Sequence, residues 1–389
     1  MLIPYGKQNI EESDIEAVIK VLKSDTITQG SKVIDFEKQI SKYCNSKYSV
    51  AANSATSCLH IAMLSLDIKE NDIIWTSPIS FVASANCALY CNAKIDFVDI
   101  NPIDYNLDVN KLEEKLIESK KIGTLPKVVI PVHLSGRSCD MERIYKLSKE
   151  YDFRIIEDAS HAIGSSYLGE KVGSCRYSDI CIFSFHPVKI ITTAEGGIAQ
   201  TNDSDLFKKM VLFRSHGIRR TDNLFAQEGG WFYEQIKLGY NYRMNEIQAA
   251  LGLSQLKRLD IFIKRRLELS KRYFSLLDDL DIQLPQRDSE ESVSSWHLFI
   301  IRTSKEGFIS RKKLYDKLIS SGIKVNVHYI PIYKHKIYKD LGYDESKFPE
   351  SEKYYKEALS IPIYYDLTNE QQDYIVERIK EKEGFQNIF

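Results

Sequence analysis

The sequence has few of the features that mark membrane, secreted or nucleic-acid-binding proteins. Its 389 residues carry a formal net charge of -1, so no excess of positive charge indicates a nucleic acid or an anionic membrane as the main partner. No apolar run approaches the length of a membrane span, and residues 1–5 lack the basic and then apolar pattern of a secretion signal. We therefore expect a cytoplasmic protein with no membrane and no nucleic-acid partner.

Cysteine is scarce, and the seven cysteines are scattered and odd in number. Cys87 and Cys91 lie four residues apart on one face of a predicted helix, but no further metal ligands accompany them. Reduced thiols in the core of a cytoplasmic protein are the favoured interpretation. The chain also lacks a His-Glu-x-x-His motif, a Walker loop and a Gly-x-Gly-x-x-Gly loop. We predict no metal site.

Apolar strands alternate with amphipathic helical patterns over the first half of the chain. Such alternation is typical of an α/β fold with a mostly parallel sheet, here of seven strands, in which ligands lie at the carboxyl ends of the strands. Helices are expected over 11–23, through 34–43 and between most of the strands. The strands are predicted near 48–52, 73–76, 95–98, 127–132, 153–157, 180–185 and 197–201.

The second half of the sequence predicts a smaller α+β domain. A long helix over 244–278 is followed by a polar connection, a strand over 296–303, a second strand near 323–328 and further helices. The chain is long enough for two domains. We predict a large domain over residues 1–260 and a small C-terminal domain over 261–389, with the long helix crossing the boundary.

One stretch, Phe183 to Gly197 (F-S-F-H-P-V-K-I-I-T-T-A-E-G-G), places a lysine where a buried charge would be costly. Lys189 has almost no other charge near it in the sequence. Desolvation lowers the pKa of a lysine and frees its amine as a nucleophile, which forms Schiff bases with carbonyls such as pyridoxal phosphate (PLP). The alternative is that Lys189 only extends from a loop to water.

Two other strand ends carry groups that such a cofactor would need. Asn53-Ser54-Ala55-Thr56-Ser57 opens a helix, whose free N–H groups and hydroxyls suit a phosphate, although plain N-capping is an alternative. Asp158 ends the strand before that of Lys189, and a carboxylate there can keep a pyridine nitrogen protonated. A helix N-cap is the alternative for Asp158 as well.

These segments resemble the sugar-nucleotide aminotransferases of PLP fold type I, most closely the branch that makes pseudaminic acid. In that family the run matching Ser184 to Lys189 ends at the cofactor lysine, and Ile190 stands where proline is usual. The resemblance implies that Lys189 holds PLP and acts as general base and acid, and that Asp158 contacts the pyridine nitrogen. It implies stacking of Phe81 on the ring and a place for His161 beside it, although an ordinary core phenylalanine and a structural histidine are alternatives. It also implies a phosphate site made by Ser54, Ala55, Thr56 and Ser184.

The resemblance extends to a second subunit and to the substrate. The segment around Asn241 comes from the partner subunit in that family, so the resemblance implies a homodimer in which Asn241 contacts the partner's cofactor phosphate. Ile330 replaces a lysine of the family, which puts a contact to the substrate diphosphate in doubt. The implied substrate contacts are Tyr5, Asp25, Thr26, Ile27 and Thr28 near the start, and Val327, His328, Tyr329 and Ile330 near the end.

The resemblance implies amination of a UDP-linked 4-keto-6-deoxy-N-acetylhexosamine with glutamate as donor. The L-arabino sugar of the pseudaminic-acid branch is expected, and the D-xylo epimer of the legionaminic and bacillosamine type is the alternative. A sugar dehydratase on the same scaffold would carry histidine in place of Lys189. A PLP-binding regulator would need a nucleic-acid-binding segment, for which the sequence has no spare length or basic patch.

Overall fold

The structure, a computed structural model, describes residues 2–220, 229–303 and 309–381. Its central sheet has seven strands in the order β1-β9-β8-β5-β4-β2-β3. Only β9 runs antiparallel to its two neighbours, and the other pairs are parallel. The predicted mostly parallel sheet is confirmed. The strands are β1 (Tyr48–Ala52), β2 (Ile73–Thr76), β3 (Lys94–Phe97), β4 (Val128–Ile130), β5 (Arg154–Asp158), β8 (Ile180–Ser184) and β9 (Gly197–Thr201).

Helices cover both faces of this sheet, as a parallel sheet requires. Strand residues alternate between the two faces: Ile74 of β2 packs in the core under α3, α4 and α7, whereas Trp75 packs in the core under α5 and α6. The helices of this part are α1 (Glu12–Leu22), α2 (Ser31–Cys44), α3 (Ala55–Ser65), α4 (Ala83–Leu89), α5 (Val109–Ile122), α6 (Met141–Tyr151), α7 (Ser204–Arg214) and α8 (Glu246–Leu256).

Local sequence signals explain where several helices begin and end. Asp108 caps α5 by accepting a hydrogen bond from Asn110 N at 2.8 Å, and Asp203 caps α7 in the same way. Helix α5 ends at Gly123, whose φ of 71° favours glycine. These caps satisfy backbone groups that have no partner within the helix.

The C-terminal part forms a second core. Its three-stranded antiparallel sheet has the order β12-β14-β15 and packs against α9, α10 and α13. Ile3 from the start of the chain also packs in this core, whereas Leu259 and Phe262 of α9 pack with the large sheet. The boundary at residue 260 stays a prediction. The elements are α9 (Leu259–Leu277), α10 (Arg311–Ser320), α11 (Lys336–Lys339), α12 (Pro349–Glu357), α13 (Asn369–Lys380), β12 (Ile282–Gln283), β14 (Phe299–Thr303) and β15 (Ala358–Ile361).

Short two-residue strands complete the described structure. They are β6 (Ser166–Tyr167), β7 (Glu170–Lys171) and β13 (Ser292–Val293), which form one sheet, and β10 (Ile218–Arg219) and β11 (Glu234–Gln235), which form a hairpin. Strands β12 and β13 both lie in the polar connection that was expected after the long helix.

Two predicted elements differ from the structure. The helix expected over 244–278 is two helices, because the chain breaks at Lys257 and Arg258. There the Arg258 guanidinium turns toward Asp14 and Asn9, each at 2.5 Å, and no Gly or Pro marks the break. The strand expected near 323–328 forms only isolated bridges, from Ile323 to Ile3 and from Asn326 to Ser360, so it is not a regular strand.

All seven cysteines are free and buried. Burial raises the pKa of the Cys91 thiol to about 11 and that of Cys44 to about 12. Within the described ranges, no helix is long and apolar enough to cross a membrane, and no cluster of His, Cys, Asp and Glu could hold a metal ion.

Candidate active site

A cavity of about 510 Å³ lies where the carboxyl ends of five strands of the central sheet meet. Ser54 follows β1, Ser80 follows β2, Val132 follows β4, and Asp158 and Ser184 end β5 and β8. This is the edge at which parallel sheets bind ligands. A larger open groove of about 1040 Å³ between α1, α2 and α8 contains none of the predicted site residues.

The cavity brings together most of the residues that the sequence singled out. From the predicted cofactor set, it is lined by Ser54, Ala55, Thr56, Phe81, Asp158, His161, Ser184 and Lys189. From the predicted substrate set, it is lined by Tyr5, His328 and Tyr329. These groups come from distant parts of the chain and meet only in the folded protein.

Lys189 lies in the turn after β8 and is half-buried. Its backbone N–H donates to the carbonyl of His186 at 2.9 Å, which shapes the turn. Burial lowers the pKa of its ammonium to about 8, and the negative charge of Asp158 opposes this shift. A larger fraction of the amine is therefore neutral near neutral pH than in an exposed lysine.

Asp158 is buried and held on both carboxylate oxygens. Its Oδ2 accepts a hydrogen bond from Ser84 Oγ at 2.5 Å, and its Oδ1 accepts from Ser160 Oγ at 2.6 Å and from Ser160 N at 3.2 Å. Residues 159–165 form turns, so Asp158 does not cap a helix. Its carboxylate faces the cavity at a fixed orientation.

The N-terminus of α3 forms a cradle of small groups. Ser54 caps the helix by accepting from Ser57 N at 3.0 Å, while the N–H groups of Ala55 and Thr56 have no acceptor within the helix. Gly197 pairs with Ser184 in the register of β8 and β9 and lies against this turn. A Cβ at Gly197 would lie 2.4 Å from Ala55 N. The close approach brings the Ser184 strand end beside a helix N-terminus that suits a phosphate.

Histidines and tyrosines form another wall of the cavity. His161 is buried, and its Nε2 lies 3.0 Å from the hydroxyl of Tyr329, while its Nδ1 has no hydrogen-bond partner among the described residues. Burial first, and then the charge of Lys189, holds the pKa of His161 well below its usual range. The imidazole is therefore neutral, with one buried nitrogen available to a ligand.

His328 and Phe81 shape the mouth of the cavity. Burial lowers the pKa of His328 to about 3, and its Nδ1 lies 2.8 Å from Ser360 Oγ. The ring centroid of Tyr5 lies 5.5 Å from that of His328. Phe81 is 59% exposed, so one face of its ring remains open to a ligand.

Other predicted residues lie outside the cavity of their own chain. Asn241 is exposed and forms a bridge with Ser215, and Asp25, Thr26, Ile27 and Thr28 are exposed. Val327 is half-buried, and Ile330 is 41% exposed. Their roles stay predictions, because each would act on a ligand or on a second subunit.

The sequence did not indicate several residues of the cavity. Ser80 and Ser160 stand within stretches that the sequence singled out, so their hydroxyls could have been included. The ring of His297 lies against that of His161, with centroids 4.4 Å apart and planes tilted by 43°, but it reaches the cavity from the C-terminal part of the chain. No local pattern marks that contact.

The residues present fit PLP. The cavity offers an amine of lowered pKa, a helix N-terminus with hydroxyls for a phosphate, a carboxylate for a ring nitrogen and an open aromatic face. The unpartnered Nδ1 of His161 is a further buried polar atom that a bound group would satisfy.

Comparison with known proteins agrees with this chemistry. Residues 8–380 match the DegT/DnrJ/EryC1/StrS aminotransferase family. A UDP-4-amino-4,6-dideoxy-N-acetyl-beta-L-altrosamine transaminase of Campylobacter jejuni is 38% identical over 390 residues, which cover 99% of this chain and 100% of the relative.

Solved structures give the same result. PseC of Helicobacter pylori, an aminotransferase involved in the biosynthesis of pseudaminic acid, superimposes with a TM-score of 0.88 at 33% identity, covering 97% of this chain and 98% of its own. A putative sugar aminotransferase of Streptococcus pneumoniae in its PMP form has a TM-score of 0.89 at 30% identity, covering 97% and 98%. The predicted family, fold type and cofactor are thereby confirmed: the chain belongs to the DegT/DnrJ/EryC1/StrS family of sugar aminotransferases and is a PLP-dependent enzyme.

Proposed function

We propose that the enzyme transfers the amino group of glutamate to C4 of UDP-2-acetamido-2,6-dideoxy-β-L-arabino-hex-4-ulose, as a step in pseudaminic acid biosynthesis. The observation that carries the proposal is the half-buried amine of Lys189 in the same cavity as the fixed carboxylate of Asp158. The names of relatives in Campylobacter and Helicobacter support the choice of sugar. The D-xylo epimer is the alternative substrate.

The main polar and aromatic residues of the cavity each have a task in this proposal. Bound PLP supplies an electron sink for the carbon that loses a proton. Lys189 would carry the cofactor, and its amine, once released, would move a proton between the donor carbon and the aldehyde carbon of the cofactor as general base and acid. Asp158 would contact the ring nitrogen, and the turn at Ser54 with Ser184 would hold the phosphate. Phe81 and the wall at His161 exclude water from the ring.

A homodimer is part of the proposal. Among the described residues that line the cavity, Lys189 is the only lysine or arginine, and its amine is needed for the chemistry. The diphosphate of the substrate and the carboxylates of glutamate require further cations or hydrogen-bond donors. Asn241 is exposed on its own chain, and Trp231 and Leu238 in the segment that precedes it are 81% and 77% exposed, which favours a protein partner for this segment.

We expect the enzyme to work in the reducing environment of the cytoplasm. All seven cysteines remain unpaired, as is usual in that compartment. This location is included in the proposal.

Borohydride trapping tests the central assignment. We expect reduction of the enzyme with bound PLP to fix the cofactor on the peptide that contains Lys189, and Lys189→Ala to abolish both the adduct and turnover. Lys115→Ala is the matched control, because burial also lowers the pKa of Lys115 but its Nζ pairs with Asp96 at 2.6 Å outside the cavity. An adduct on any other lysine would refute the role of Lys189.

A kinetic comparison of the two epimers tests the substrate. We expect a higher kcat/KM for the L-arabino sugar with glutamate as donor, because a site that hydrogen-bonds one hydroxyl discriminates strongly against an analogue that misplaces it. Preference for the D-xylo sugar would reject the pseudaminic-acid assignment and leave the aminotransferase assignment intact.

A further inference from the structure

A buried pair of serines lies behind Asp158. Ser84 is in the first turn of α4, is fully buried, and places its Oγ 2.5 Å from Asp158 Oδ2. The Oγ of Ser80, which is 3% exposed, lies 2.7 Å from that of Ser84. Ser80 lines the cavity, but Ser84 does not. Ser84 therefore has no direct access to a bound ligand.

The direction of these hydrogen bonds follows from the charge of Asp158. An ionised carboxylate only accepts hydrogen bonds, so the single hydroxyl hydrogen of Ser84 is donated to Asp158. The remaining capacity of Ser84 is to accept, and Ser80 supplies that hydrogen. The chain of donation therefore runs from Ser80 through Ser84 to Asp158.

The carboxylate is held by two separate elements. Ser160, two residues after Asp158, donates to Oδ1, whereas Ser84 from α4 donates to Oδ2. The contact from Ser84 fixes the rotation of the carboxylate about its side-chain bonds.

We propose that Ser84 is a positioning residue for catalysis, which keeps the carboxylate of Asp158 oriented toward the ring nitrogen of the cofactor, with Ser80 orienting Ser84. This inference rests on the proposed contact of Asp158 with that nitrogen. Ser80 and Ser84 thus connect the helix after β2 with the carboxylate at the end of β5.

A purely structural role predicts a different result. Ser84 Oγ lies 3.4 Å from the carbonyl of Phe81, and its chain neighbours Ala83 and Ala85 show that alanine fits this helix. If Ser84 only filled space, Ser84→Ala would leave the chemistry unchanged. If Ser84 positions Asp158, the same change would reduce turnover and alter the electronic environment of the cofactor.

The test compares Ser84→Ala, Ser84→Thr and Ser80→Ala in the enzyme with bound PLP. A hydrogen bond to a charged group is worth on the order of 1.5–3 kcal/mol, so we expect Ser84→Ala to lower kcat about 10- to 100-fold with a nearly unchanged KM for the sugar. The pH midpoint of the absorbance of the bound cofactor should shift, because this midpoint depends on the protonation of its ring nitrogen. Ser84→Thr keeps the hydroxyl and should restore both values, and Ser80→Ala should give a smaller effect in the same direction.

Ser148→Ala is the matched control. Ser148 is a buried serine of α6 whose hydroxyl donates to the carbonyl of Tyr145 at 2.8 Å, and its loss should change neither kcat nor the midpoint. The inference fails if Ser84→Ala matches the wild type in both measurements while Asp158→Asn loses turnover. If Asp158→Asn also turns over normally, the proposed role of Asp158 fails. Absence of the borohydride adduct at Lys189 in the wild type is a separate result, which would reject the proposed function.

Discussion

The charge of Lys189 depends on its burial. Burial lowers its pKa from 10.5 to about 8, so between these two pH values the unfolded chain binds more protons at this lysine than the folded chain. The free energy of unfolding of the cofactor-free enzyme should therefore gain a contribution that rises with pH across this window. Below about pH 8 the buried, protonated amine lowers the free energy of unfolding.

Lys189→Met removes this destabilising buried charge. We expect the cofactor-free variant to unfold at a higher urea concentration than the wild type below pH 8, and the difference to shrink as the pH rises toward 10.5. Urea titrations at several pH values measure this, with Lys264→Met as the control, since Lys264 is exposed on α9. A difference that does not change with pH would contradict the lowered pKa.

Gly197 is a second position at which one substitution should have a large effect, here on the binding of PLP. An added Cβ would lie 2.4 Å from Ala55 N and 2.6 Å from Ser54 C, both backbone atoms of the turn that we propose holds the phosphate. We expect Gly197→Ala to raise the dissociation constant for PLP at least about fivefold, since moving backbone costs more than about 1 kcal/mol. Fluorescence titration of cofactor-free protein measures it. Gly230→Ala is the control, because nothing lies within 4 Å of a Cβ there.

Among the elements, α9 packs in both cores and carries one buried cation. Arg266 is 2% exposed, and its Nη1 donates to the carbonyls of Trp296 at 3.0 Å, His297 at 3.2 Å and Ile363 at 3.0 Å. Burial lowers its pKa to about 10, but the guanidinium remains charged at neutral pH. It holds together three segments behind the cavity, including the backbone of His297.

We expect Arg266→Met to destabilise the protein by about 2–4 kcal/mol, because it leaves buried carbonyl groups without donors. Lys264→Met on the same helix should change the free energy of unfolding by less than about 0.5 kcal/mol. Chemical denaturation of the two variants at neutral pH gives the comparison. Equal stability of the two would mean that the carbonyls find other donors.

In the whole molecule, the proposed dimer makes each active site depend on residues of both chains. If Asn241 completes the partner's site, mixing Lys189→Ala protein with Asn241→Ala protein yields heterodimers with one intact site and one doubly damaged site. We expect activity to rise after subunit exchange, up to about half that of the wild type if every dimer were mixed. The separate variants incubated alone are the controls. A monomer in sedimentation would exclude the arrangement.

The positions of the strands along the chain and the meeting of Lys189 and Asp158 in one cavity were predictable, because their signals are local. Lys189 and Asp158 each follow or end an apolar strand, and parallel strands place such ends at one edge of the sheet. His297 and Ser84 were not predictable, since they meet the site through packing between segments distant in sequence. The break at Lys257 was missed because a side-chain contact to Asp14, not a helix-breaking residue, accompanies it.

The burial of every cysteine has a practical consequence for measuring motion in this enzyme. With all seven thiols inaccessible and several of them raised in pKa, maleimide dyes and nitroxide labels should leave the native protein unmodified. A cysteine introduced at an exposed position, such as Lys312→Cys on α10, whose side chain is 84% exposed, would then be the single reactive site. With a second such cysteine in the part of the chain that carries the central sheet, the distance between the two labels could be measured with and without cofactor and sugar, and no native cysteine would have to be removed.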